Sequence, residues 1–362
     1  MKQSLYILCL FVLTLACKNN TKTTSQTSEK KETTNQQNVP NKVIEVASFK
    51  GEQVTGVTVS SMGRIFVNFP RWRKNIASSV VELKENNLTN SYPNLEWNSW
   101  KMGETLPQEK FINVQSVVSF DNYLYVLDTR NPLFEGVLDA PRIFVFNLET
   151  DELIKTYILE KNTYYPDSYI NDVRIDKKHN SIYCTDSGHP GIVVIHMETG
   201  TSKRVLNEHV STTAEVSYLN IDGKKWVNTI HSDGIALNSR KLYYHALTGY
   251  NLYSIETRHL HESENNIEQY VVLETKTAAP DGMIFDNKGN LYFADLEHHK
   301  IQYRQPDGSI QTLVAGDAIK WADTFSIYDG YLYFTNSRIH EATGDISNMN
   351  FTLNKVKLPS EQ

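Results

Sequence analysis

The stretch Asp281-Gly-Met-Ile-Phe-Asp-Asn-Lys-Gly-Asn290-Leu-Tyr-Phe-Ala-Asp295 decides the fold. Two short runs of apolar and aromatic residues flank an Asp-Asn-Lys-Gly turn, which is the pattern of a hairpin. The same unit recurs five times. Its other copies are Gly56-Val-Thr-Val with Arg64-Ile-Phe-Val, Gln115-Ser-Val-Val with Tyr123-Leu-Tyr-Val-Leu-Asp128, and Asp172-Val-Arg-Ile with Ser181-Ile-Tyr-Cys-Thr-Asp186. Asp233-Gly-Ile-Ala with Lys241-Leu-Tyr-Tyr-His245 and Asp323-Thr-Phe-Ser with Tyr331-Leu-Tyr-Phe-Thr-Asn336 complete the set. The aromatic anchors Phe66, Tyr125, Tyr183, Tyr243, Tyr292 and Tyr333 follow one another at intervals of 41 to 60 residues.

A strand repeat of that period predicts a β-propeller, with each unit the inner hairpin of a four-stranded blade. Second hairpins are visible in Arg142-Ile-Phe-Val-Phe-Asn147 with Leu153-Ile-Lys-Thr-Tyr157, and in Ile192-Val-Val-Ile-His196 with Lys203-Arg-Val-Leu206. The expectation is an all-β, six-bladed propeller over residues 42–360. Too little chain follows Tyr333 for a full last blade, so Val43-Ile-Glu-Val-Ala-Ser48 is predicted to close it and cover its open edge.

Ahead of the repeats, Met1-Lys2 leads into an apolar run from Leu5 to Ala16. It is too short to span a bilayer, which takes about 20 residues. It reads as a secretory signal. The run ends Leu13-Thr14-Leu15-Ala16-Cys17, similar to a bacterial lipobox, so residues 1–17 are expected to be a lipoprotein signal with Cys17 lipidated. Residues 18–41 are Lys, Thr, Ser, Asn, Gln and Glu with few apolar side chains, the composition of a disordered tether. The expected location is the cell envelope or the extracellular side, held to the membrane by the lipid at Cys17 alone. Of three cysteines, Cys9 and Cys17 fall in the signal, which leaves Cys184 without a disulfide partner. It lies in an apolar strand and reads as core.

With 36 Lys and Arg against 42 Asp and Glu, the net charge of −6 excludes a general nucleic-acid binder. No nucleophile elbow, P-loop or dinucleotide fingerprint is present. The repeat itself places the candidate chemistry. Residues opening each first strand share a rim of the channel with those closing each second strand. The inner positions are Gly56, Gln115, Asp172, Asp233, Asp281 and Asp323, with Asn171 adjacent. The outer ones include Phe69, Asp128, Asp186, Asp295 and Asn336, with His245 beside them.

Four carboxylates around one channel mouth repel one another. A like pair 4 Å apart costs about 4 kcal/mol at an effective dielectric of 20. Raised pKa values, cationic side chains or a bound cation relieve this. Arg71, Arg174 and Arg338 are candidate partners. A cation at Asp172, Asp233, Asp281 and Asp323 would be an ammonium group or Ca²⁺, which takes oxygen ligands. Phe69, Trp72, Trp321 and Phe325 are candidates for an aromatic wall. His231 and His245 are candidate bases. His298 and His299, being adjacent on a strand end, point to opposite faces and are not read as a metal pair.

Several segments resemble the major royal jelly protein/Yellow family. They are Thr55-Gly-Val-Thr-Val-Ser-Ser-Met-Gly-Arg-Ile-Phe-Val-Asn-Phe-Pro-Arg-Trp72, Tyr92-Pro-Asn-Leu-Glu-Trp-Asn98, Tyr169-Ile-Asn-Asp-Val-Arg174, Ser232-Asp-Gly-Ile-Ala236 and Trp321-Ala-Asp-Thr-Phe325. The resemblance implies a six-bladed propeller and secretion. It implies no single activity: some insect Yellow-like members are associated with dopachrome conversion, salivary ones bind biogenic amines in the channel, and royal jelly ones are nutritive or interaction proteins. This chain lacks paired cysteines and has a bacterial type of signal, so insect substrates are not carried over.

Three readings stay open. One is binding of a small cationic or aromatic molecule at the acidic mouth, with Gln115, Asn171, Asp172, Asp233, Asp281, Asp323, Phe69, Asn336 and His245 as the contact set. Another is catalysis, by a Yellow-like isomerase or a Ca²⁺-dependent, lactonase-like hydrolase. The third is an envelope scaffold that contacts proteins through its rim.

Overall fold

Each repeat unit folds as the inner hairpin of a four-stranded antiparallel sheet. The computed structural model describes residues 41–261 and 266–359. Blade one comprises Gly56–Val59, Ile65–Asn68, Val80–Leu83 and Thr89–Ser91. Blade two comprises Val114–Phe120, Tyr123–Asp128, Arg142–Asn147 and Leu153–Ile158. Blade three comprises Ile170–Asp176, Ser181–Asp186, Gly191–His196 and Ser202–Val205. Ser232–Leu237, Lys241–Ala246, Asn251–Glu256 and Val272–Lys276 form blade four. Met283–Phe285, Leu291–Asp295, Lys300–Arg304 and Ile310–Ala315 form blade five.

Blade six takes three strands from the C-terminal end: Ala322–Tyr328, Tyr331–Asn336 and Asn350–Lys357. Its outer strand is Ile44–Lys50, which pairs antiparallel with Asn350–Lys357, Phe49 opposite Phe351. The N-terminal strand thus closes the last blade, as expected. The innermost strands touch in cyclic order from blade one to blade six and back to blade one. The ring is closed and its channel is walled by the first strand of every blade.

The core lies between neighbouring sheets. All six aromatic anchors are buried on second strands. Between blades one and two, Phe66 packs with Tyr92, Phe111, Phe144 and Phe146. Burying each such side chain contributes about 1.5–3 kcal/mol. Cys184 is fully buried on its strand, where burial pushes the thiol pKa up.

One element was not visible in the repeat pattern. Between blades three and four, Tyr218–Ile221 and Lys224–Val227 form a separate two-stranded hairpin. Asp222 and Gly223 both have positive φ, +52° and +71°, the geometry of a two-residue type I′ turn. Leu219 and Ile221 bury their side chains in the same cluster as Trp321 of blade six. The Asn220 N–H donates to Glu297 Oε1 at 2.7 Å. The arm is therefore packed onto blades five and six. The expected signal, Cys17 and all but the last residue of the expected tether lie outside the described residues.

Candidate functional site

Three of the four ring carboxylates, Asp172, Asp233 and Asp323, stand on irregularities in the inner strands, and Asp281 lies just ahead of the first strand of blade five. In blade three, Ile170 pairs with Asp186 and Val173 with Cys184, so Asn171 and Asp172 together face Thr185. Asp233 and Gly234 face His245 in the same way, and Asp323 and Thr324 face Thr335. Gln115 is the extra residue in blade two. Such bulges turn a side chain out of the alternation of the strand. Here they gather carboxyls at one mouth of the channel. Thr185 and Thr335 accept bulge N–H groups through Oγ1, from Asp172 at 3.3 Å and Thr324 at 3.2 Å.

Two glycines let the ring close tightly. A Cβ on Gly234 would stand 2.5 Å from the Asp281 carbonyl oxygen, and one on Gly282 would stand 2.3 Å from that of Asp323. The Asp-Gly pairs of blades four and five are thus a packing requirement between neighbouring blades.

Within the ring, Asp172 Oδ2 pairs with Arg174 Nη1 at 3.0 Å, and Oδ1 accepts from Ser116 Oγ at 2.8 Å. Asn171 Nδ2 donates to Asp233 Oδ2 at 2.8 Å. Trp321 Nε1 donates to Asp281 Oδ2 at 2.6 Å. Asp323 is 5% exposed, and its Oδ2 has no hydrogen-bond partner. Of the three expected cationic partners, Arg174 alone is found on a ring carboxylate. Arg71 donates to the carbonyls of Ile112 and Trp100, and Arg338 pairs with Glu341.

Burial, reinforced by Asp323 and Asp172, pushes Asp233 and Asp281 well above the carboxylate range, with Asp233 adding to the shift of Asp281. Asp323 is pushed up to about 7, again chiefly by burial, with Asp172 adding to it. Burial therefore favours the protonated forms of Asp233 and Asp281 and brings Asp323 to the middle of its titration near neutral pH.

Above this floor opens a cavity of about 470 Å³, within the range typical of small-molecule sites. One wall is aromatic. Phe134 lies between Trp72 and Tyr169, with ring centroids 5.6 and 4.9 Å away. Tyr169 donates its hydroxyl to Gln115 Oε1 at 2.8 Å. Phe134 and the preceding Leu133 have φ of +58° and +60°, an unfavourable conformation for bulky residues. The opposite wall is Trp226 of the arm and Trp321, in edge contact at 4.9 Å. Arg73 stands at the rim, donating to Gln53 Oε1 and the Ala342 carbonyl.

Gln115, Asn171, Asp233, Asp281 and Asp323 line this cavity together. Asp172 joins them in a smaller one of about 10 Å³ beneath, room for about one water. Trp72 and Trp321 are also brought to the cavity.

Other candidates are placed elsewhere. Phe69 is buried against Phe49, ring centroids 5.2 Å apart, because the strand that closes blade six covers it. Phe325 is core. Asn336 is a loop cap: Oδ1 accepts the N–H groups of Lys320 and Trp321, and Nδ2 donates to the Ala318 carbonyl. His245 is fully buried, donating from Nδ1 to the Ala246 carbonyl at 2.7 Å, with Nε2 2.9 Å from Thr277 Oγ1. Burial pulls its pKa down to about 4. His231 accepts the Ala214 N–H on Nδ1. Asp128 and Asp186 accept loop N–H groups, and Asp295 pairs with His298. Sequence reasoning missed Tyr169, Phe134 and Trp226 as cavity residues. The Asp222-Gly223 turn signal would have revealed the arm, whereas nothing local marks Phe134.

The sequence profile of the major royal jelly proteins matches residues 115–360. No curated protein sequence matches the chain. Among solved structures, a gluconolactonase from Xanthomonas campestris is similar at TM-score 0.54 and 11% identity, over 88% of this chain and 90% of that one. The calcium-binding protein regucalcin from Agrobacterium tumefaciens gives 0.53 and 13%, over 89% and 97%. A streptogramin B lyase gives 0.51 and 13%, over 88% and 98%. At such identities these likenesses establish the propeller and nothing further.

Proposed function

The chain belongs to the major royal jelly protein family, and from that premise we propose that its propeller binds a small organic cation with an aromatic face at the acid-floored mouth of the channel. The observation that carries the reading is Asp323 Oδ2, buried without a partner beside two more carboxyls held in their protonated form. A buried acceptor with no donor costs about 1–3 kcal/mol. An ammonium group supplies both the donor and the countercharge. The indole and phenyl faces on either side suit the rest of such a ligand. Arg73 at the rim, which makes no ion pair among the described residues, offers a contact for an acidic substituent.

A second reading, metal-assisted hydrolysis, draws on the small oxygen-lined cavity beneath the floor. Calcium takes 6–8 oxygens. The donors fit that demand poorly, because Asp172 is engaged by Arg174, Asp233 Oδ2 by the Asn171 amide and Asp281 Oδ2 by the Trp321 indole. No step is derived through such an ion.

The test is thermal unfolding of the whole chain with EDTA, with Ca²⁺ and with a panel of aromatic amines. A ligand at a hundredfold excess over Kd stabilises by about 2.7 kcal/mol. The expected result is stabilisation by an amine in the presence of EDTA, lost in Asp323→Asn and Asp281→Asn. Stabilisation by Ca²⁺ alone would replace this reading with the hydrolase. No response to either would leave the protein-contact scaffold.

The envelope location belongs to the same proposal. Lipidation of Cys17 is supported by the apolar run that ends at Ala16. Mass spectrometry of the mature N-terminus tests it, and Cys17→Ala is expected to release the protein from membranes.

A further inference from the structure

Outside the channel, one cluster is left unexplained by ligand binding. His340 follows the sixth blade's second strand, and its side chain is 7% exposed. Neither ring nitrogen has a hydrogen-bond partner. Its Nε2 points between two carboxylates, 3.6 Å from Asp222 Oδ2 and 3.7 Å from Glu341 Oε1. Both distances are too long for hydrogen bonds. They lie at or about 0.1 Å beyond the upper end of the ligand separation on one tetrahedral zinc ion, about 3.3–3.6 Å for bonds of 2.0–2.2 Å.

The other oxygen of each carboxylate is already held. Asp222 Oδ1 lies 2.7 Å from His299 Nε2, whose Nδ1 donates to the Ile319 carbonyl. Glu341 Oε2 accepts from Arg338 Nε at 2.6 Å. Each carboxylate is thus oriented from behind with its second oxygen toward His340, as outer partners orient metal ligands.

We propose that His340 Nε2, Asp222 Oδ2 and Glu341 Oε1 form a site for a divalent transition metal of the zinc class, completed by water, that fastens the hairpin arm to the sixth blade. One imidazole and two carboxylates are ligands that such an ion accepts, and the two carboxylates balance its charge. Asp222 sits in the arm's turn, while Glu341 and His340 belong to blade six. The ion would therefore bridge the two. His340 also stacks on Trp321 at 5.7 Å, and Trp321 meets Trp226 of the arm. The clip stands directly behind the cavity wall.

The experiment is a calorimetric titration of zinc chloride into untagged, chelator-treated whole chain with no organic ligand present, so its outcome is independent of the channel reading. One saturable site per chain is expected, weakened at least about tenfold in His340→Ala and Asp222→Asn. Asparagine tolerates the left-handed backbone of position 222, so that variant keeps the turn and decides the matter if His340→Ala unfolds. Zinc is also expected to slow tryptic cleavage at Lys224 and Lys225 of the arm in the parent protein and not in Asp222→Asn. Absence of saturable zinc binding, or equal binding by Asp222→Asn, overturns the proposal.

Discussion

Trp321 donates its indole N–H to Asp281 Oδ2 at 2.6 Å, and this one contact ties the aromatic wall of the cavity to its acidic floor. Trp321 is fully buried and meets the arm through Trp226. Asp281 is buried and carries no ion pair among the described residues. The indole is thus the group that favours the charged form of Asp281 while burial and the neighbouring carboxyls oppose it.

Trp321→Phe keeps most of the ring and removes the donor. Leaving a buried acceptor unpaired costs about 1–3 kcal/mol. The Asp281 pKa is expected to rise further, so amine binding, which needs the carboxylate, should move to higher pH. A pH series of binding isotherms in parent and variant checks this. Equal midpoints would separate the wall from the floor.

Stability should fall as pH rises. Asp323 is pushed up to about 7 in the fold, against about 3.9 in an unfolded chain. Between those values the folded state holds the extra proton. The contribution is full below the unfolded value and is lost as pH climbs through about 7. Asp233 and Asp281 act in the same direction. Asp323→Asn stays neutral throughout. At about pH 8 it is expected to be more stable than the parent by about 1–4 kcal/mol, while losing the cationic ligand. Thermal midpoints measured across that range give the slope.

The repeat was legible because second-strand aromatics such as Tyr292 and Tyr333 must fill equivalent gaps between blades. The ring at Asp172, Asp233, Asp281 and Asp323 was legible for the same reason: equivalent positions in a closed repeat share one rim. What strand alternation concealed were the bulges. Asp233 and Gly234 stand together opposite His245. The bulge aims the carboxyl into the channel and leaves the histidine inside the sheet, where rim logic does not hold. The walls were hidden for another reason. Phe134 and Trp226 come from a loop and an inserted hairpin, whose positions depend on tertiary contact and not on the period.

His245→Gln tests that correction. The neutral ring, held at a pKa of about 4, contributes stability above its unfolded value of about 6.5 that is lost as pH falls toward 4. The variant is expected to lose less stability across that acid interval and to leave amine affinity unchanged. A fall in affinity with an intact fold would return His245 to the site.

Phe134→Gly separates binding from stability. Glycine relieves a positive φ that a phenyl-bearing residue resists, worth about 1 kcal/mol or more. Phe134 is 59% exposed, so little burial is lost. The expected variant is as stable as the parent or more so, and binds the aromatic amine about tenfold more weakly for want of a stacking face. Loss of stability with unchanged affinity would make the strained turn a structural device.

Gly282→Ala addresses the ring's geometry without touching its charges. The added Cβ would meet the Asp323 carbonyl oxygen at 2.3 Å, and backbone in a closed six-blade ring has little room to retreat. Overpacking of this kind costs about 1–3 kcal/mol. The larger consequence falls on the floor. Separating blades five and six moves Asp281 away from Asp323, which weakens the mutual repulsion that raises Asp281 and admits water to both. Their pKa values should then fall, and the decline in stability with rising pH should flatten relative to the parent. Measuring thermal midpoints against pH for Gly282→Ala beside Asp323→Asn distinguishes the two causes. If the glycine variant is destabilised equally at every pH, the close approach of the blades serves packing alone. If its slope flattens as well, that approach is what holds the carboxyls in their protonated, cation-seeking state.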